Sequence, residues 1–169
     1  MSQESQPLDR IDHEILAALQ KNARLSNKEL AAAVDLAPSS CLARVARLIR
    51  EGVLRGFHAD VDRKSLGIGL EALVFVRVVQ HQSALMDALR DHLIALPEVL
   101  EVYYVAGSHD LVVHVAVRDV DHLRTLVAER ISSRAELGQL ETSLIFSHWR
   151  SATLPDYARA EATPARKRG

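Results

Sequence analysis

One stretch near the N-terminus, LAPSSCLARVARLIREG at residues 36–52, combines the single cysteine of the chain with a run of arginines. A catalytic thiol requires exposure and a neighbouring base, but no histidine lies within a helical turn of Cys41. Helical periodicity also places Cys41 on an apolar stripe, where a free thiol behaves as a small hydrophobe. The other members of that predicted stripe are Leu42, Val45, Leu48 and Ile49. We therefore predict that Cys41 is buried and unreactive.

The arginines of this stretch form the second candidate for chemistry. Within residues 38–58, Arg44, Arg47, Arg50 and Arg55 stand against the single acid Glu51, a local charge of +3. The same spacing that buries Cys41 predicts that Arg44 and Arg47 project on the opposite, solvent-exposed side. Such a face can meet a polyanion. A solvated arginine face on an ordinary three-helix bundle is the alternative interpretation.

The elements around this stretch favour DNA as the polyanion. Ser26 and Glu29 have the spacing of a capping box at the start of a second helix, and Pro38 suits the first turn of a third. Two helices joined by a tight turn are typical of a helix-turn-helix, whose second helix enters the major groove. Hydroxyls and guanidinium groups then bond base edges or phosphates. The predicted DNA-binding residues are Ser39, Ser40, Arg44, Arg47 and Arg50.

Metal, cofactor and catalytic sites are not indicated by the sequence. The eight histidines include no helical metal pair, and His109 and His114 supply only two of the three or four ligands that a zinc site requires. Neither a glycine-rich phosphate loop nor a Ser/His/Asp set is recognisable. We predict that the protein is not an enzyme and has no metal or cofactor.

Composition and charge limit the remaining options. Of 169 residues, 48% are apolar and 25% charged, which is typical of a globular protein. The N-terminus lacks a signal-peptide pattern, and no apolar run approaches the roughly 20 residues of a membrane span, so the sequence predicts a cytoplasmic protein without a membrane partner. Net charge is +1 over residues 1–66, −5 over 67–149 and +3 over 150–169. A polyanion would thus be met at the N-terminal third.

The hydrophobic pattern predicts an α+β protein with four segments. Residues 1–52 form a helix-turn-helix domain, and residues 53–69 form a wing strand and linker. Residues 70–149 alternate strands with two amphipathic helices in the order βαββαβ, the ferredoxin-like unit. Residues 150–169 form a basic tail that ends in Arg166, Lys167 and Arg168. From about residue 155 onward this tail is expected to be mobile unless it packs on a neighbour, and to add only non-specific attraction to phosphates.

The predicted strands are apolar on both faces. In DLVVHVAV, Leu111, Val113, Val115 and Val117 share one face, while Val112 and Ala116 keep the other largely apolar. Two helices cover only one face of a four-stranded sheet, so the other is expected to pack on a second sheet. We infer a homodimer, which also suits a helix-turn-helix protein at a two-fold DNA site.

The stretch LAPSSCLARVARLIREGVLRGFHADVDRKSLG resembles the helix-turn-helix and linker of the Lrp/AsnC family, and VYYVAGSHDLVV resembles a motif of that family's effector domain. The resemblance extends over residues 8 to about 150. It implies a winged helix-turn-helix followed by a ferredoxin-like effector domain. It also implies regulation of transcription on double-stranded DNA by homodimers that assemble further, often to octamers, in response to a small molecule, usually an amino acid. A ligand-independent architectural DNA-binding protein of the same fold is the alternative.

The family resemblance also implies where an effector binds. Its pocket lies at contacts between effector domains and uses the turn between the second and third strands, which corresponds to Gly107 and Asp110. By pattern alone, a glycine turn whose aspartate caps loop N–H groups is the simpler interpretation; the resemblance favours an effector contact there. The complete set of predicted effector-binding residues is Tyr104, Gly107, Asp110, Val120, Ser143 and Leu144.

Three departures from the family pattern accompany these expectations. Ala37 stands where a capping serine is common, the ending FSHWRS replaces an acidic residue followed by lysine, and the chain extends past the usual end. The first departure predicts a less firmly capped third helix.

Overall fold

A computed structural model describes residues 7–79, 83–134 and 136–161. The chain forms two compact units. Among the described residues, the first unit, called here the DNA-binding unit, contains residues 7–60 together with 149–161, and the second, called the effector unit, lies within residues 61–148. No helix within the described ranges has the length and hydropathy that a membrane span requires.

Three helices form the N-terminal part of the DNA-binding unit: α1 (Arg10–Lys21), α2 (Asn27–Ala33) and α3 (Pro38–Arg50). Asp9 caps α1 and Ser26 caps α2, each in a reciprocal capping box with the acid three residues later. The predicted box of Ser26 and Glu29 is thereby confirmed. Helix α3 begins at Pro38 without a side-chain hydrogen bond from Ala37, as the replacement of the capping serine predicted.

The turn between α2 and α3 is tight. Asp35 adopts a left-handed conformation with φ of 53°, which aspartate tolerates better than most residues. The backbone N–H of Leu36 then donates to the carbonyl of Ala31 at 2.9 Å. This turn brings both helices onto α1 around a core formed by Ile15, Leu19, Leu30, Ala31, Val34, Cys41 and Leu48.

The buried stripe of α3 is narrower than predicted. Cys41 and Leu48 are fully buried, and Val45 packs against them. Leu42 and Ile49 were expected in the same stripe, and that expectation is wrong, since they are 58% and 48% exposed. The face towards α1 instead continues through the half-buried Arg44 and Arg47. Because periodicity fixes only the spacing of a face and not its edges, charged residues can occupy one side of it.

The predicted wing strand is not formed. Residues 53–63 have no regular secondary structure, and only a 3₁₀ turn (Lys64–Leu66) precedes the first strand. The N–H of Leu54 donates to the carbonyl of Leu48, and the Leu54 side chain packs on the helical core. A strand requires a neighbour for its backbone groups, and residues 7–60 contain no strand that could pair with this segment. The alternating pattern alone therefore predicted a strand that does not form.

The effector unit confirms the predicted βαββαβ order. Its elements are β1 (Leu70–Val78), α4 (Ser83–Ile94), β2 (Val99–Tyr104), β3 (Leu111–Val117), α5 (Val120–Thr125), which continues as a π-helical segment (Leu126–Ile131), and β4 (Leu137–Ile145). The antiparallel sheet has the strand order β2-β3-β1-β4. One face carries the alternate valines of β1 and β3 and packs against Leu89, Leu93, Leu123, Leu126 and Ile131.

The C-terminal segment is folded up to residue 161. Tyr157–Glu161 forms a short helix, α6, and residues 149–161 belong to the DNA-binding unit. The N–H of Leu154 donates to Oε1 of Gln20 at 2.7 Å, and Asp156 approaches His13 on α1. The tail was predicted to be mobile unless it packed on a neighbour, and residues 155–161 pack on α1. The basic residues Arg166, Lys167 and Arg168 lie outside the described residues.

Candidate functional site

The two ends of α3 present the predicted DNA-binding residues to solvent. Ser39 and Ser40 are exposed in its first turn, and Arg50 is exposed in its last. Small hydroxyls at the start of a helix reach base edges when its N-terminal end enters the major groove, and a cation at the far end reaches a phosphate. All three are exposed, and their contact with DNA stays a prediction.

Arg44 and Arg47 are situated differently from the prediction. Nη1 of Arg44 donates to Oδ2 of Asp9 at 2.7 Å and to Oδ1 of Asp12 at 2.9 Å. Nη2 of Arg47 donates to Oδ2 of Asp12 at 2.5 Å, and its Nη1 to Glu51 at 3.3 Å. The expectation that both project freely into solvent is wrong, because acids of α1 draw them against that helix.

Asp12 is the centre of this cluster. Its side chain is 1% exposed, and its Oδ2 also accepts the backbone N–H of Asp9, which completes the capping box. Burial raises the pKa of this carboxyl, but the hydrogen bonds from Arg47, Asp9 and Arg44 outweigh burial and hold the pKa below its usual value. Asp12 is thus a charged acid matched by cations.

These ion pairs change the charge that α3 offers to a polyanion. The local +3 counted along residues 38–58 omits Asp9 and Asp12, which lie more than 25 positions earlier in the sequence. Both acids contact Arg44 or Arg47 directly. Two of the four cations in that count are therefore compensated inside the DNA-binding unit, and Arg50 is the exposed guanidinium on α3.

In the effector unit, the turn between β2 and β3 is fixed by contacts from β1. Gly107 has φ of 145° and open space where a Cβ would stand, so the glycine is required by conformation and not by crowding. The carbonyl of Ser108 accepts two hydrogen bonds from Arg77, at 3.1 Å from Nε and 2.6 Å from Nη2. A guanidinium of β1 therefore holds the turn against the sheet.

Asp110 forms hydrogen bonds to the backbone of β1 at the base of this turn. Its Oδ2 accepts the backbone N–H of Val78 at 2.7 Å, and its own N–H donates to the carbonyl of Val76 at 2.9 Å. The register of β1 and β4 shifts between Val76 and Val78. The carboxylate thus satisfies an N–H where regular pairing is interrupted, as in the simpler sequence interpretation.

The predicted effector-binding residues fall into two groups within one chain. Tyr104, Gly107 and Asp110 lie at the sheet end where β1 finishes, since Asp110 bonds to Val76 and Val78. Val120 lies beyond the other end, where Val117 pairs with Leu70. Ser143 and Leu144 complete this second group, because they pair with Leu73 and Ala72 in the N-terminal half of β1. At about 3.4 Å per residue, roughly 20 Å separate Asp110 from Val120. One small molecule cannot touch both groups in a single chain.

Next to the first group, a small pocket opens between α4 and β2. Its volume is about 160 Å³, and its lining consists of Met86, Asp87, Arg90, Val102, Tyr104 and Leu111. Tyr104, 70% exposed, forms part of its rim. Its floor is apolar, and the carboxylate of Asp87 and the guanidinium of Arg90 at its border pair with each other at 2.7 Å.

The face of the sheet opposite the helices carries a mixed polar and apolar surface, called here the open face. Nε2 of the buried His114 lies 2.9 Å from Oε2 of Glu71, which also pairs with Arg63. Burial raises the pKa of Glu71, but the hydrogen bonds from Arg63 and His114 outweigh it and leave the pKa lowered. The apolar part comprises the half-buried Leu73, Phe75 and Val112. Within the described residues, no group of three or more His, Cys, Asp or Glu side chains is arranged to hold a metal ion.

Comparison with known proteins places the two units in established families. A profile described as winged helix-turn-helix DNA-binding matches residues 8–55, and one described as the Lrp/AsnC ligand binding domain matches residues 71–155. The HTH-type transcriptional regulator AldR of Mycolicibacterium smegmatis is 40% identical over 86% of this chain and 85% of its own length. The chain belongs to the Lrp/AsnC family.

Other Lrp/AsnC proteins extend the comparison. The leucine-responsive regulatory protein of Klebsiella pneumoniae is 36% identical over 73% of this chain and 76% of its own. The solved structure of the regulator NMB0573 of Neisseria meningitidis, in complex with L-Met, matches this chain with a TM-score of 0.80 and 28% sequence identity. The match covers 88% of this chain and 97% of the NMB0573 chain. This Lrp/AsnC protein is a DNA-binding transcriptional regulator with a ligand-binding domain, and its relatives are regulators and not enzymes.

Sequence reasoning missed three side chains that shape these Lrp/AsnC sites. Asp9 and Asp12 are absent from the predicted DNA-binding residues, although both are ion-pair partners of α3. Arg77 received no role, although it holds the effector-unit turn. The signal available for Arg77 was a lone cation within the apolar strand LEALVFVRV.

Proposed function

We propose that this regulator binds specific operator sequences through α3 and changes its assembly or operator affinity on binding an amino acid. Support for the DNA part is the exposed first turn of α3, with Ser39 and Ser40, and the exposed Arg50 at its end. In this proposal the hydroxyls reach base edges and Arg50 reaches a phosphate. The observation that carries the proposal is that this exposed helix face belongs to a unit matching a DNA-binding family.

Support for an amino-acid effector comes from the second unit. Residues 71–155 match a ligand-binding domain, and the related NMB0573 was solved with L-Met. The separation of Asp110 from Val120 within one chain favours an effector held between copies, where one copy supplies the turn and another supplies α5 or β4. Such an effector binds an assembly better than its free parts and so shifts oligomerisation.

The open face supports a homodimer as the building block. It presents the half-buried apolar side chains of Leu73, Phe75 and Val112 within one chain, and the two helices cover the other side of the sheet. A second sheet packed on it would remove these side chains from water. Further association of dimers, to octamers, would bring effector units of neighbouring dimers together.

The experiment that tests the proposal has two stages. A thermal-shift screen of the amino acids identifies binders, and selection from a random duplex library identifies an operator sequence. Anisotropy titrations with that duplex and a scrambled duplex, with and without the binding amino acid, then measure coupling, while sedimentation velocity measures assembly. We expect a preference for the selected duplex and a shift in its affinity or in oligomer size with one amino acid. Equal affinity for both duplexes and no response to any amino acid would instead favour an architectural DNA-binding protein.

A further inference from the structure

The ion pairs between α1 and α3 lie within the unit that binds DNA. Asp12 receives three donors on one carboxylate: Arg44 on Oδ1, and Arg47 and the N–H of Asp9 on Oδ2. Among the charged residues of the described chain, Asp12 alone is buried to this degree, at 1% exposed. An ionised carboxylate in that position is stable only with its partners in place.

The geometry of these contacts determines how α3 is turned. Arg44 and Arg47 are one helical turn apart on α3 and converge on the two oxygens of a single group. The buried Cys41 and Leu48 already pack α3 into the helical core, and two ion-pair contacts one turn apart along the axis further restrict its rotation and height relative to α1. Rotation decides which side chains of α3 face outward, among them Ser39 and Ser40.

The same contacts occupy the cations. Two guanidinium groups one turn apart on a DNA-facing helix would bind phosphates of any sequence if they were free. Asp9 shares Arg44 through its Oδ2, while its Oδ1 accepts the N–H of Asp12 as the helix cap and its side chain is half exposed. Asp12 is thus the buried group that both arginines share.

We propose that Asp12 is a positioning residue for DNA recognition, which sets the rotation of α3 and withholds Arg44 and Arg47 from non-specific phosphate contacts. The inference rests on the proposed role of α3 as the DNA-reading helix. Asp12 itself touches no DNA in this scheme. It keeps the base-reading surface of α3 in place, and it keeps the sequence-independent attraction to phosphates low. Both effects favour the operator over other sequences.

The first test replaces Asp12 by the isosteric amide, Asp12→Asn, in the full chain. Binding to the selected duplex and to the scrambled duplex is titrated by anisotropy over a series of salt concentrations. We expect affinity for the scrambled duplex to rise about threefold to tenfold at low salt, the salt slope to steepen by about one unit or more, and the ratio of the two affinities to fall at least tenfold. Unchanged slope with an equal loss of affinity for both duplexes would mean a purely structural role and would overturn the proposal.

Glu51→Gln provides the matched control. Glu51 pairs with the same arginine, Arg47, at 3.3 Å, but lies on α3 itself and does not tie that helix to α1. The substitution removes the same charge and leaves Asp12 in place, so the affinity ratio should stay within about twofold of wild type. A loss of selectivity equal to that of Asp12→Asn would assign the effect to net charge alone and would also overturn the proposal.

A second variant, Arg47→Gln, decides the matter even if Asp12→Asn does not fold, because Asp12 then keeps Arg44. If Arg47 acts only through positioning, affinity for the selected duplex falls while the salt slope does not change. If Arg47 contacts a phosphate directly, the slope becomes shallower by about one unit, and the proposal fails. Circular dichroism melts establish that each variant is folded. If the wild type itself shows no preference for the selected duplex, the proposed function is contradicted. If the wild type shows the preference and the variants do not behave as expected, only the proposed role of Asp12 is contradicted.

Discussion

Nδ1 of His13 lies 2.8 Å from Oδ2 of Asp156, although 143 positions separate the two residues in the sequence. The His13 side chain is 6% exposed, and Asp156 covers it from the C-terminal segment. Arg159 of the same segment lies 3.7 Å from Glu14, which, like His13, is on α1. The segment that follows the effector unit therefore returns to α1 and forms part of the DNA-binding unit.

Deletion of residues 154–169 should destabilise the DNA-binding unit. His13 would lose its partner, and Gln20 would lose the N–H of Leu154. We expect the melting temperature of this unit to fall by roughly 3 to 5 °C and amide exchange along α1 to accelerate. Scanning calorimetry and hydrogen exchange measure both.

A shorter deletion, of residues 162–169, is the control for that experiment. It removes Arg166, Lys167 and Arg168 and leaves the contacts of His13 intact. We expect an unchanged melting temperature and an equal loss of affinity for all duplexes, since unselective basic residues contact phosphates only. A selective loss at one operator would contradict this second expectation.

Asp110 has two possible roles that a pair of substitutions separates. Asp110→Ala removes both the charge and the acceptor for the N–H of Val78, whereas Asp110→Asn removes the charge and keeps an acceptor. If the carboxylate binds the ammonium group of the effector, both variants lose effector affinity and keep ligand-free DNA binding. Calorimetry with the amino acid found by screening measures the affinities. Wild-type affinity in Asp110→Asn would restrict Asp110 to its backbone role.

The ion pairs of Asp12 should make stability dependent on acid. Folding lowers the pKa of the Asp12 carboxyl below its unfolded value, near 3.8. The charged carboxylate therefore stabilises the fold at any pH above that unfolded value, and the stabilisation is lost as the pH falls through the folded pKa. Wild type should therefore be more stable than Asp12→Asn at pH 6, and the difference should narrow below about pH 4. Thermal melts from pH 6 to pH 3 check this. A difference independent of pH would contradict a charged Asp12 in the folded state.

Arg50 should contribute sequence-independent affinity. Its guanidinium is exposed at the end of α3, away from the Asp12 cluster. Arg50→Ala is expected to weaken binding to selected and scrambled duplexes by a similar factor, about threefold to tenfold at low salt, and to make the salt slope shallower by about one unit. Anisotropy titrations at several salt concentrations measure both quantities. A loss confined to the selected duplex would instead indicate a base contact.

The open face should determine dimerisation. Phe75 lies on it beside His109, with ring centroids 5.2 Å apart. Phe75→Asp places a charge where a second sheet is proposed to pack, so we expect monomers at micromolar concentration in sedimentation velocity. Ile94→Asp is the control, because Ile94 is 51% exposed on α4 and not on this face. Dimers in both variants would rule out the open face as the interface.

The sequence determined the local elements of this protein. The caps of α1 and α2, the start of α3 at Pro38 and the order βαββαβ follow from residue types and periods that act over one or two turns. The burial of Cys41 was predicted correctly for the same reason. Motif similarity over nearly the whole chain supplied the family and hence DNA binding.

Long-range contacts decided what the sequence left unspecified. The partners of Arg44 and Arg47 come from α1, and the cover over His13 comes from Asp156, so a count of charges along a short window could not show them. The strand predicted after Gly52 failed because pairing depends on a neighbour, which a pattern of alternation does not contain. Periodicity fixes which residues share a face; only the packing of helices and strands decides what each face meets.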